Sequence, residues 1–559
     1  SDLKFIGGCS VGTKECQNIT TLNGSLNFIN SNMNLVFMNF IYGSQINLTN
    51  SSNVTLNVNV ASNDPIIIND VSGNNSITIE DHTDDVNDAV QIKSDRVGGY
   101  DKVEIAADPI VPLISDEIRT TFSQESDTEN SLTVHTQKVA RLDISSIQVK
   151  DLTYKFNHMN ESYSLQQSDG GKMCLVSVDY GTIRFSDPTE SLTIKTTAMD
   201  SDFTINSFNN DTFSGSLTVL GESPRDDINI ETDLLLKGKD LRIRGGKVTV
   251  KEGKTLSTRF INIDSTPNYE TAASIGDSGK ILIEASDFEM KTGSKLLAHA
   301  DSGYNGGSVT INAEDTNGWG VPAIDWLREK LGILIGSAQG IYVNGASVKL
   351  DNAIITGDSV KITAKSGYSI SDKFAEDIAQ VINGTGIGDF LSDLTGKTAG
   401  ELGKTIGDLG IMNNGVLPIP IGINVRVSSS DIKLLGNTFI NAVNAVNILA
   451  DAINNSDLTV SSKLFSIGIA VAVTNSMVFI TDESKIISTN GDILIRSNAE
   501  GNATVTTGTT TKAENNKLPL SFAAGVSVLT SKAEIGEDTR IESGGSVNLI
   551  ANGTNSGGG

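Results

Sequence analysis

The last third of the chain repeats a short pattern of apolar positions. In each copy one apolar residue is followed, five positions later, by two apolar residues that alternate with polar ones. The four copies are Val343, Val348 and Leu350; Val427, Ile432 and Leu434; Val473, Val478 and Ile480; and Val528, Ala533 and Ile535. Alternation with period two is typical of strands with one buried face. The pattern therefore predicts strands whose apolar side chains share an interior.

A second repeated pattern, a small turn followed by alternating β residues, accompanies the first. It reads GGSVTINA at 306–313, GDSVKITA at 357–364, NGDILI at 490–495 and GGSVNLIA at 544–551. A unit this short cannot bury its own apolar face, so its copies must stack on one another. The sequence thus predicts an all-β chain, a β-solenoid whose coils build a rod. Because a rod is mainly surface, binding or structural roles are favoured over small-molecule chemistry.

The repeats also predict which side chains stack inside the rod. We expect ladders of buried apolar residues that run from coil to coil, through Val348, Leu350, Ile432, Leu434, Val478 and Ile480. Such ladders bury apolar area without a globular core. Antiparallel sandwiches in this region would contradict the prediction.

Three segments differ in composition. Residues 1–110 are rich in Asn and Ser and carry short β runs. Residues 111–235 are β-rich but less regular, with longer and more charged loops. Residues 236–559 carry the regular repeats, so the most regular part of the solenoid is predicted there.

Two stretches of the last segment break the β pattern and predict short α-helical inserts, near 320–340 and near 371–410. In the first, apolar residues recur at helical spacing: Ile324, Leu327, Leu331 and Leu334. In the second, two shorter stripes with similar spacing start at Phe374 and Leu402. The inserts either pack against the rod or form a helical docking surface for a partner.

The formal net charge of -25 limits the possible partners. A phosphate backbone needs clustered Lys and Arg, so we expect no nucleic acid, and anionic membrane surfaces are disfavoured for the same reason. No apolar run is long enough to span a bilayer, so we expect no membrane insertion. The acidic charge either keeps a long, edge-rich protein soluble or binds divalent cations along the rod.

Three cysteines are too few for a disulfide scaffold. Cys9 and Cys16 flank a Gly-containing loop and could form one bridge, which would indicate an oxidising compartment, whereas Cys174 is left alone. Sequons occur at Asn18, Asn47, Asn50 and Asn53, although a composition this rich in Asn, Ser and Thr generates them by chance. Both the bridge and glycosylation stay open.

The two ends of the sequence carry no secretion signal and no recognisable polar cap. Solenoids need such caps because an open coil end presents unpaired backbone groups. We therefore expect the native chain to continue past both ends. The alternative is end-to-end stacking of copies into a filament.

Several motifs resemble filamentous-haemagglutinin-type solenoids, especially the giant repetitive exoproteins of environmental bacteria. They are GGKVTV at 245–250, LSTR at 256–259, IGDSGKI at 275–281, KTGSKLLA at 291–298, and the weaker SLTI at 191–194 and GSLTV at 215–219. IGIAVAV at 467–473 resembles leukotoxin-type filamentous adhesins. The resemblance covers roughly residues 180–559 and implies a right-handed parallel β-helix, secreted or attached to a cell surface, used for adhesion or as an extracellular filament.

Catalytic and metal-binding signals are weak in comparison. The histidines are His82, His135, His158 and His299, and no two have metal-ligand spacing. No nucleophile elbow and no phosphate-binding loop occurs. Enzymes built on parallel β-helices need carboxylates on adjacent coils, for which the candidates are Asp226, Asp227 and Glu231, or Asp81, Asp84, Asp85 and Asp88. The second group could instead hold Ca²⁺ or be a solvated loop.

The sequence favours an extracellular structural or adhesive segment of a large bacterial surface or filament protein, without catalysis and without a required cofactor. The expected partners are neighbouring segments of a longer chain or end-to-end copies, and cell-surface glycans or proteins. The alternative is a carbohydrate-active β-helix enzyme, a polysaccharide lyase or hydrolase.

Overall fold

The fold is described from a computed structural model. It describes residues 3–6, 16–19, 25–30, 34–41, 45–51, 54–60, 66–81, 89–94, 100–107, 117–124, 131–137, 141–156, 162–168, 171–177, 181–196, 201–261, 269–315, 341–367, 421–462, 465–481, 483–509 and 520–555. Both predicted helical inserts and Cys9 lie outside these ranges.

The described residues form strands and no helix, which confirms the all-β prediction. The first twenty strands are β1 (Leu3–Ile6), β2 (Cys16–Ile19), β3 (Ser25–Ile29), β4 (Asn34–Ile41), β5 (Gln45–Thr49), β6 (Val54–Val60), β7 (Ile66–Ser72), β8 (Asn75–Asp81), β9 (Ala89–Ser94), β10 (Tyr100–Ala107), β11 (Glu117–Ser123), β12 (Ser131–Gln137), β13 (Arg141–Asp143), β14 (Val149–Phe156), β15 (Ser162–Gln167), β16 (Met173–Ser177), β17 (Gly181–Phe185), β18 (Ser191–Thr196), β19 (Asp202–Ile205) and β20 (Ser216–Gly221).

The remaining strands are β21 (Asp227–Ile230), β22 (Leu234–Leu235), β23 (Leu241–Arg244), β24 (Lys247–Val250), β25 (Thr255–Ser257), β26 (Phe260–Ile261), β27 (Ser274–Gly276), β28 (Ile281–Ala285), β29 (Asp287–Met290), β30 (Lys295–Leu297), β31 (Val309–Asp315), β32 (Ile341–Asp351), β33 (Ile354–Gly357), β34 (Val360–Ser366), β35 (Ile421–Leu435), β36 (Phe439–Ala442), β37 (Val446–Ser462), β38 (Phe465–Ile480), β39 (Lys485–Ser488), β40 (Ile493–Thr509), β41 (Leu520–Ile535), β42 (Arg540–Ser543) and β43 (Val547–Asn555).

These strands belong to three long sheets and one antiparallel pair, β26 with β27. We call them the first sheet (17 strands, including β1 and β41), the second sheet (17 strands, including β2 and β43) and the third sheet (7 strands, β22 to β42). Up to residue 230 the chain visits only the first and second sheets, and we call this the two-sheet part. From residue 234 to 555 it visits the first, third and second sheets in turn, and we call this the three-sheet part.

Most neighbouring strands in the three sheets pair in parallel, and two antiparallel meanders interrupt the pattern. In the second sheet, β10, β11 and β12 pair antiparallel, with β12 parallel to β8 and β10 parallel to β14. In the first sheet, β15, β16 and β17 do the same between β13 and β19. Each meander inserts two strands into its own sheet, so that both long sheets have 17 strands, and both meanders lie in the two-sheet part.

The predicted inward ladders are confirmed. Val348 pairs with Ile432 and Ile432 with Val478, and every side chain in this ladder is at most 1% exposed. Leu350, Leu434 and Ile480 form the next ladder in the same way. One continuous apolar core joins Leu26 to Ile495, because alternate residues of every sheet face the same interior.

A left-handed residue stands at the corner between the first and third sheets in each of six successive repeats. The corner residues with positive φ are Gly253, Gly293, Asn352, Gly436, Glu483 and Asp538. Gly, Asn and Asp tolerate this conformation, which explains five of the six corner residues; Glu483 has no such explanation. The backbone N–H of Gly253 donates to Thr292 O at 3.0 Å, and that of Gly293 to Asn352 O at 3.1 Å, so the corners also stack.

The strands β35, β37, β38, β40 and β41 are much longer than the rest and extend beyond the main core. Their extensions pack a second small core: Leu458, Val460, Ala470, Ala472, Ala503 and Val505. Buried serines lie between the two cores. Ser430 Oγ donates to Ser366 Oγ at 2.9 Å and Ser497 Oγ to Ser476 Oγ at 2.9 Å, so these hydroxyls satisfy one another.

Candidate functional site

The three carboxylates predicted as a catalytic group have three different environments. Asp226 is 1% exposed and accepts hydrogen bonds from the backbone N–H groups of Ser201 at 2.8 Å and Ser223 at 2.9 Å. It closes the turn before β21. Glu231 pairs with Lys251 across neighbouring strands at 3.2 Å. Only Asp227 lies on the outer face of the first sheet among other carboxylates.

Asp227 belongs to a row of acidic residues on that face. It pairs in register with Asp202 on one side and Lys247 on the other, and Lys247 pairs with Asp287. Burial raises the pKa of Asp227, the charges of Asp202 and Asp287 raise it further, and Lys247 lowers it. Paired strands are about 4.8 Å apart, so Asp202 and Asp227 are near neighbours.

The row continues through Ser347 to Asp431. Ser347 Oγ donates to Asp287 Oδ1 at 2.5 Å, and Ser347 pairs in register with Asp431. Burial raises the pKa of Asp431, although Lys433 lies 4.0 Å away. We call Asp202, Asp227, Asp287 and Asp431 the aspartate row. No spacing rule in the sequence reveals this row, because the loops between its members differ widely in length.

In the adjacent row on the same outer face, the carboxylate is paired with lysines instead. Glu289 accepts from Lys291 at 2.8 Å and from Lys349 at 2.9 Å. Burial by itself would raise the pKa of Glu289, but the hydrogen bonds and charges of these two lysines outweigh it and lower the pKa. This row therefore neutralises itself, whereas the aspartate row keeps a net negative charge.

A depression lies on the outer face of the second sheet, at its meander. It has a volume of about 660 Å³. The polar side chains around it are Lys102, Glu104, Arg119, Thr121, Ser123, Thr133, Asp151, Thr153 and Ser191. Glu104 pairs with Lys155 at 2.7 Å, and Ser191 Oγ donates to Asp151 Oδ1 at 2.5 Å. We call this the meander depression. No local sequence pattern indicates it, because its strands β10, β11, β12, β14 and β18 are separated in the chain by segments of unequal length.

A smaller cleft of about 310 Å³ lies farther along the same sheet, between Glu222 and Asp315. Two of its carboxylates are engaged within the fold. Glu284 binds Arg242 through two hydrogen bonds of 2.9 and 2.8 Å, and Asp315 accepts from the backbone N–H of Gly345 at 3.0 Å.

Arg259 is the largest fully buried side chain among the described residues, and its guanidinium binds the backbone of residues 269–272, just before β27. Nη1 donates to the carbonyl oxygens of Tyr269 and Glu270, and Nη2 to that of Ala272 at 2.7 Å. The side chain of Asp301 lies 3.4 Å from Nη2. Burial lowers the pKa of Arg259 and Asp301 raises it. Sequence reasoning missed this role, because the partners are backbone carbonyls.

His299 lies beside this arginine. Burial and the Arg259 charge lower its pKa to about 4, against smaller opposing contributions from Asp301 and Glu270. Its Nδ1 lies 2.5 Å from Thr356 Oγ1. The imidazole is therefore neutral near pH 7 and acts as part of the packing.

The other predicted site residues are not gathered into a site. His82, His158, Asp84, Asp85 and Asp88 lie outside the described residues. Asp81 and His135 are described only by their backbone positions, at the end of β8 and within β12. Among the residues that the structure describes, no group of three His, Cys, Asp or Glu side chains could hold a metal ion.

Two of the sequon asparagines are engaged in side-chain ladders. Asn47 Nδ2 donates to Asn27 Oδ1 at 2.8 Å, and Asn50 Nδ2 donates to Asn30 Oδ1 at 2.9 Å. A glycan on either amide nitrogen would leave that nitrogen a single N–H for its ladder hydrogen bond. Asn53 lies outside the described residues, and only the backbone of Asn18 is described. Cys174 is buried as a free thiol, and burial raises its pKa.

No protein-family model, curated protein or solved structure matches this chain. Within the described part of the chain there is also no helix long and apolar enough to cross a membrane. Function must therefore be inferred from the arrangement of the residues themselves.

Proposed function

We propose that the chain is a right-handed parallel β-helix that serves as an extracellular structural or adhesive segment of a large bacterial surface or filament protein. The observation that supports this proposal best is the stacking of mostly parallel strands in register over the three long sheets. Seventeen strands per long sheet at about 4.8 Å correspond to a length of about 80 Å. A stack of this kind presents a long surface and needs no catalytic centre.

The apolar burial within the stack supports a structural role. In the third sheet, Leu256, Leu296, Ile355, Ile440 and Ile486 are paired in register and fully buried. Each such side chain contributes about 1.5–3 kcal/mol by leaving water. Because each repeat contacts mainly its neighbours, stability grows with the number of repeats rather than with one central core.

The surface at β41 and β43 supports the proposed partners. Here the exposed fractions are 56% for Phe522 and 49% for both Val547 and Leu549. Ile493 and Ile495, the partners of Val547 and Leu549 in β40, are 0% exposed. Exposed apolar side chains on a strand surface favour packing against another β surface.

Two measurements on the purified chain test this proposal. Small-angle scattering should give an elongated particle about 80 Å long, and a high-resolution density map should show right-handed coils. Beads coated with the chain should adhere to cells or extracellular matrix more than beads coated with albumin. A compact particle would contradict the structural role, and an absence of retention on every surface would contradict the adhesive role.

One observation favours a second candidate, a carbohydrate-active enzyme. The aspartate row places Asp202 and Asp227 on adjacent strands, and the pKa of Asp227 is raised by burial and by neighbouring carboxylates. Retaining glycosidases use two carboxyl groups about 5–5.5 Å apart, one of them with a raised pKa. The proposed chemistry would be acid–base cleavage of a polysaccharide across the first sheet.

Cleavage of a polysaccharide panel, followed by reducing-end release, tests this candidate. Asp227→Asn should abolish any cleavage, whereas Glu534→Gln, on the same sheet but outside the row, should leave it unchanged. Absence of cleavage by the unmodified chain on every polysaccharide rejects the enzyme and leaves the structural proposal.

A further inference from the structure

The meander depression differs from the rest of the second sheet in shape. The strands β11 and β12 are inserted between β8 and β10 of the second sheet, where the pairing turns antiparallel. The 660 Å³ depression lies across β12, β11, β10 and β14 and reaches Ser191 of β18.

Short hydroxyl side chains form a row through this depression. Thr133 pairs in register with Thr121, Thr121 with Glu104, and Glu104 with Thr153. The row then leaves the depression through Thr193 and Thr218 on the next two strands. Longer side chains, Arg119 and Lys155 among them, stand on the adjacent outward positions. The surface thus offers hydroxyls along a line that runs from strand to strand.

The charge of the depression is balanced, unlike that of the chain. Its ionisable residues are Lys102, Arg119, Glu104 and Asp151, two cations and two anions, whereas the whole chain has a formal net charge of -25. A polyanion would meet two carboxylates and a polycation would meet two bases, each at an electrostatic cost. The balance favours an uncharged ligand.

The chemistry of these groups narrows the ligand class. Threonine and serine hydroxyls both donate and accept, carboxylates accept, and Lys and Arg donate, so vicinal hydroxyl groups can be bound in either direction. No aromatic side chain is among the residues that line the depression, so stacking contributes little. Because the hydroxyl row continues past the depression, it suits a linear polymer better than a single sugar.

We propose that the meander depression and the threonine row beyond it bind an uncharged polysaccharide chain. The inference rests on the proposed adhesive function and specifies its ligand. Recognition depends on hydrogen bonds that replace hydrogen bonds to water, so each contact contributes little and affinity increases with the number of strands contacted.

Affinity electrophoresis of the purified chain tests the proposal, with galactomannan and a soluble β-glucan as neutral probes, polygalacturonate as the anionic probe and chitosan as the cationic probe. We expect retardation by at least one neutral probe, with little change between roughly 0.05 and 0.5 M salt. Thr153→Arg, which fills the floor of the depression, should weaken binding at least about tenfold. Thr310→Arg, on the same face of the second sheet in β31, is the matched control and should change binding less than about twofold.

The outcomes separate this inference from the adhesive function. Equal loss of binding in the two variants would overturn the assignment of the site, and stronger retention by polygalacturonate or chitosan would overturn the ligand class. If no probe is retained while coated beads still adhere, the glycan inference is wrong and the adhesive function stands. If the beads do not adhere either, the proposed adhesive function is wrong as well. Circular dichroism and proteolysis of both variants establish that they are folded.

Discussion

The two-sheet part and the three-sheet part fill their interiors differently. Among the largest fully buried side chains of the described residues, nine aromatic rings belong to the two-sheet part and only Phe288 to the three-sheet part. Two facing sheets lie about 10 Å apart and must fill the gap from two faces. The third sheet adds a further row of inward side chains, Leu256 to Ile486, so aliphatic residues suffice. The size of the core residues therefore follows the number of sheets around them.

The two parts also differ in how regularly their strands pair. In the two-sheet part the meanders change the pairing order, and aromatic pairs such as Phe156 with Tyr163, 4.6 Å between ring centroids, pack behind them. In the three-sheet part the left-handed corners repeat and no meander occurs among the described strands. Irregular pairing thus coincides with large, individually shaped side chains, and regular pairing with interchangeable ones.

The largest expected effect comes from breaking the aromatic packing. Phe156→Ala should destabilise the two-sheet part by about 3–5 kcal/mol, because the ring is 1% exposed and touches two others. Hydrogen exchange followed by mass spectrometry should show faster exchange around β14 and β18. The reference is Ile440→Val, with a cost of about 1 kcal/mol confined to the three-sheet part. If either variant exchanged faster to the same extent along the whole chain, the proposed difference between the two parts would be wrong.

Removal of the buried guanidinium should rank next. Arg259→Met keeps a long side chain but removes the guanidinium. The carbonyl groups of Tyr269, Glu270 and Ala272 then lose their donor. We expect a loss of about 3 kcal/mol, with faster exchange between residues 269 and 276. Arg242→Met, which removes an exposed pair with Glu284, should cost less than about 1 kcal/mol. Unchanged exchange in the loop would show that Arg259 does not hold it.

The stability of the coil around His299 should depend on pH. Unfolded histidine takes up a proton near its ordinary pKa of 6.5, whereas the folded chain does so only at about 4. Stability is therefore lost as the pH falls from about 6.5 to about 4, by about 2–3 kcal/mol, and this group causes no further loss below that. His299→Gln should remove this dependence. Thermal unfolding between these pH values, monitored by local exchange, measures it.

The smallest expected effect concerns the corners. Gly436 has a φ of +59°, and a Cβ there would lie 2.5 Å from Asn352 Oδ1, so Gly436→Ala adds a clash to backbone strain. Gly171 in the two-sheet part has a φ of +73° and nothing within 4 Å of such a Cβ. We expect a cost of about 2 kcal/mol at Gly436 and about 1 kcal/mol at Gly171, from urea unfolding of each variant. A larger cost at Gly171 would mean that stacked corners are not the more constrained ones.

The sequence predicted the fold more completely than it predicted the functional sites. The alternation at Val348, Leu350 and their repeats predicted both the strands and the buried face, because a period of two depends only on neighbouring residues. The turns predicted at 306–307, 357–358, 490–491 and 544–545 likewise lie directly before β31, β34, β40 and β43.

The environments of the catalytic candidates could not be predicted in this way. Asp226 and Asp227 are adjacent in sequence, yet one is buried in a turn and the other lies in the aspartate row. Local composition cannot separate two such residues. Their roles depend on which strands pair, and on the loop that each carboxylate meets.

The sequence by itself thus determined the strands, their buried faces and the turn chemistry of the chain. Only the tertiary structure decided the two meanders, the depression above one of them, the aspartate row and the carbonyl partners of Arg259. The physical reason is the distance along the sequence between the residues that determine each feature. Strand propensity and turn conformation depend on a few consecutive residues, whereas register between strands joins residues separated by loops of unequal length. No local pattern records which of these residues become neighbours.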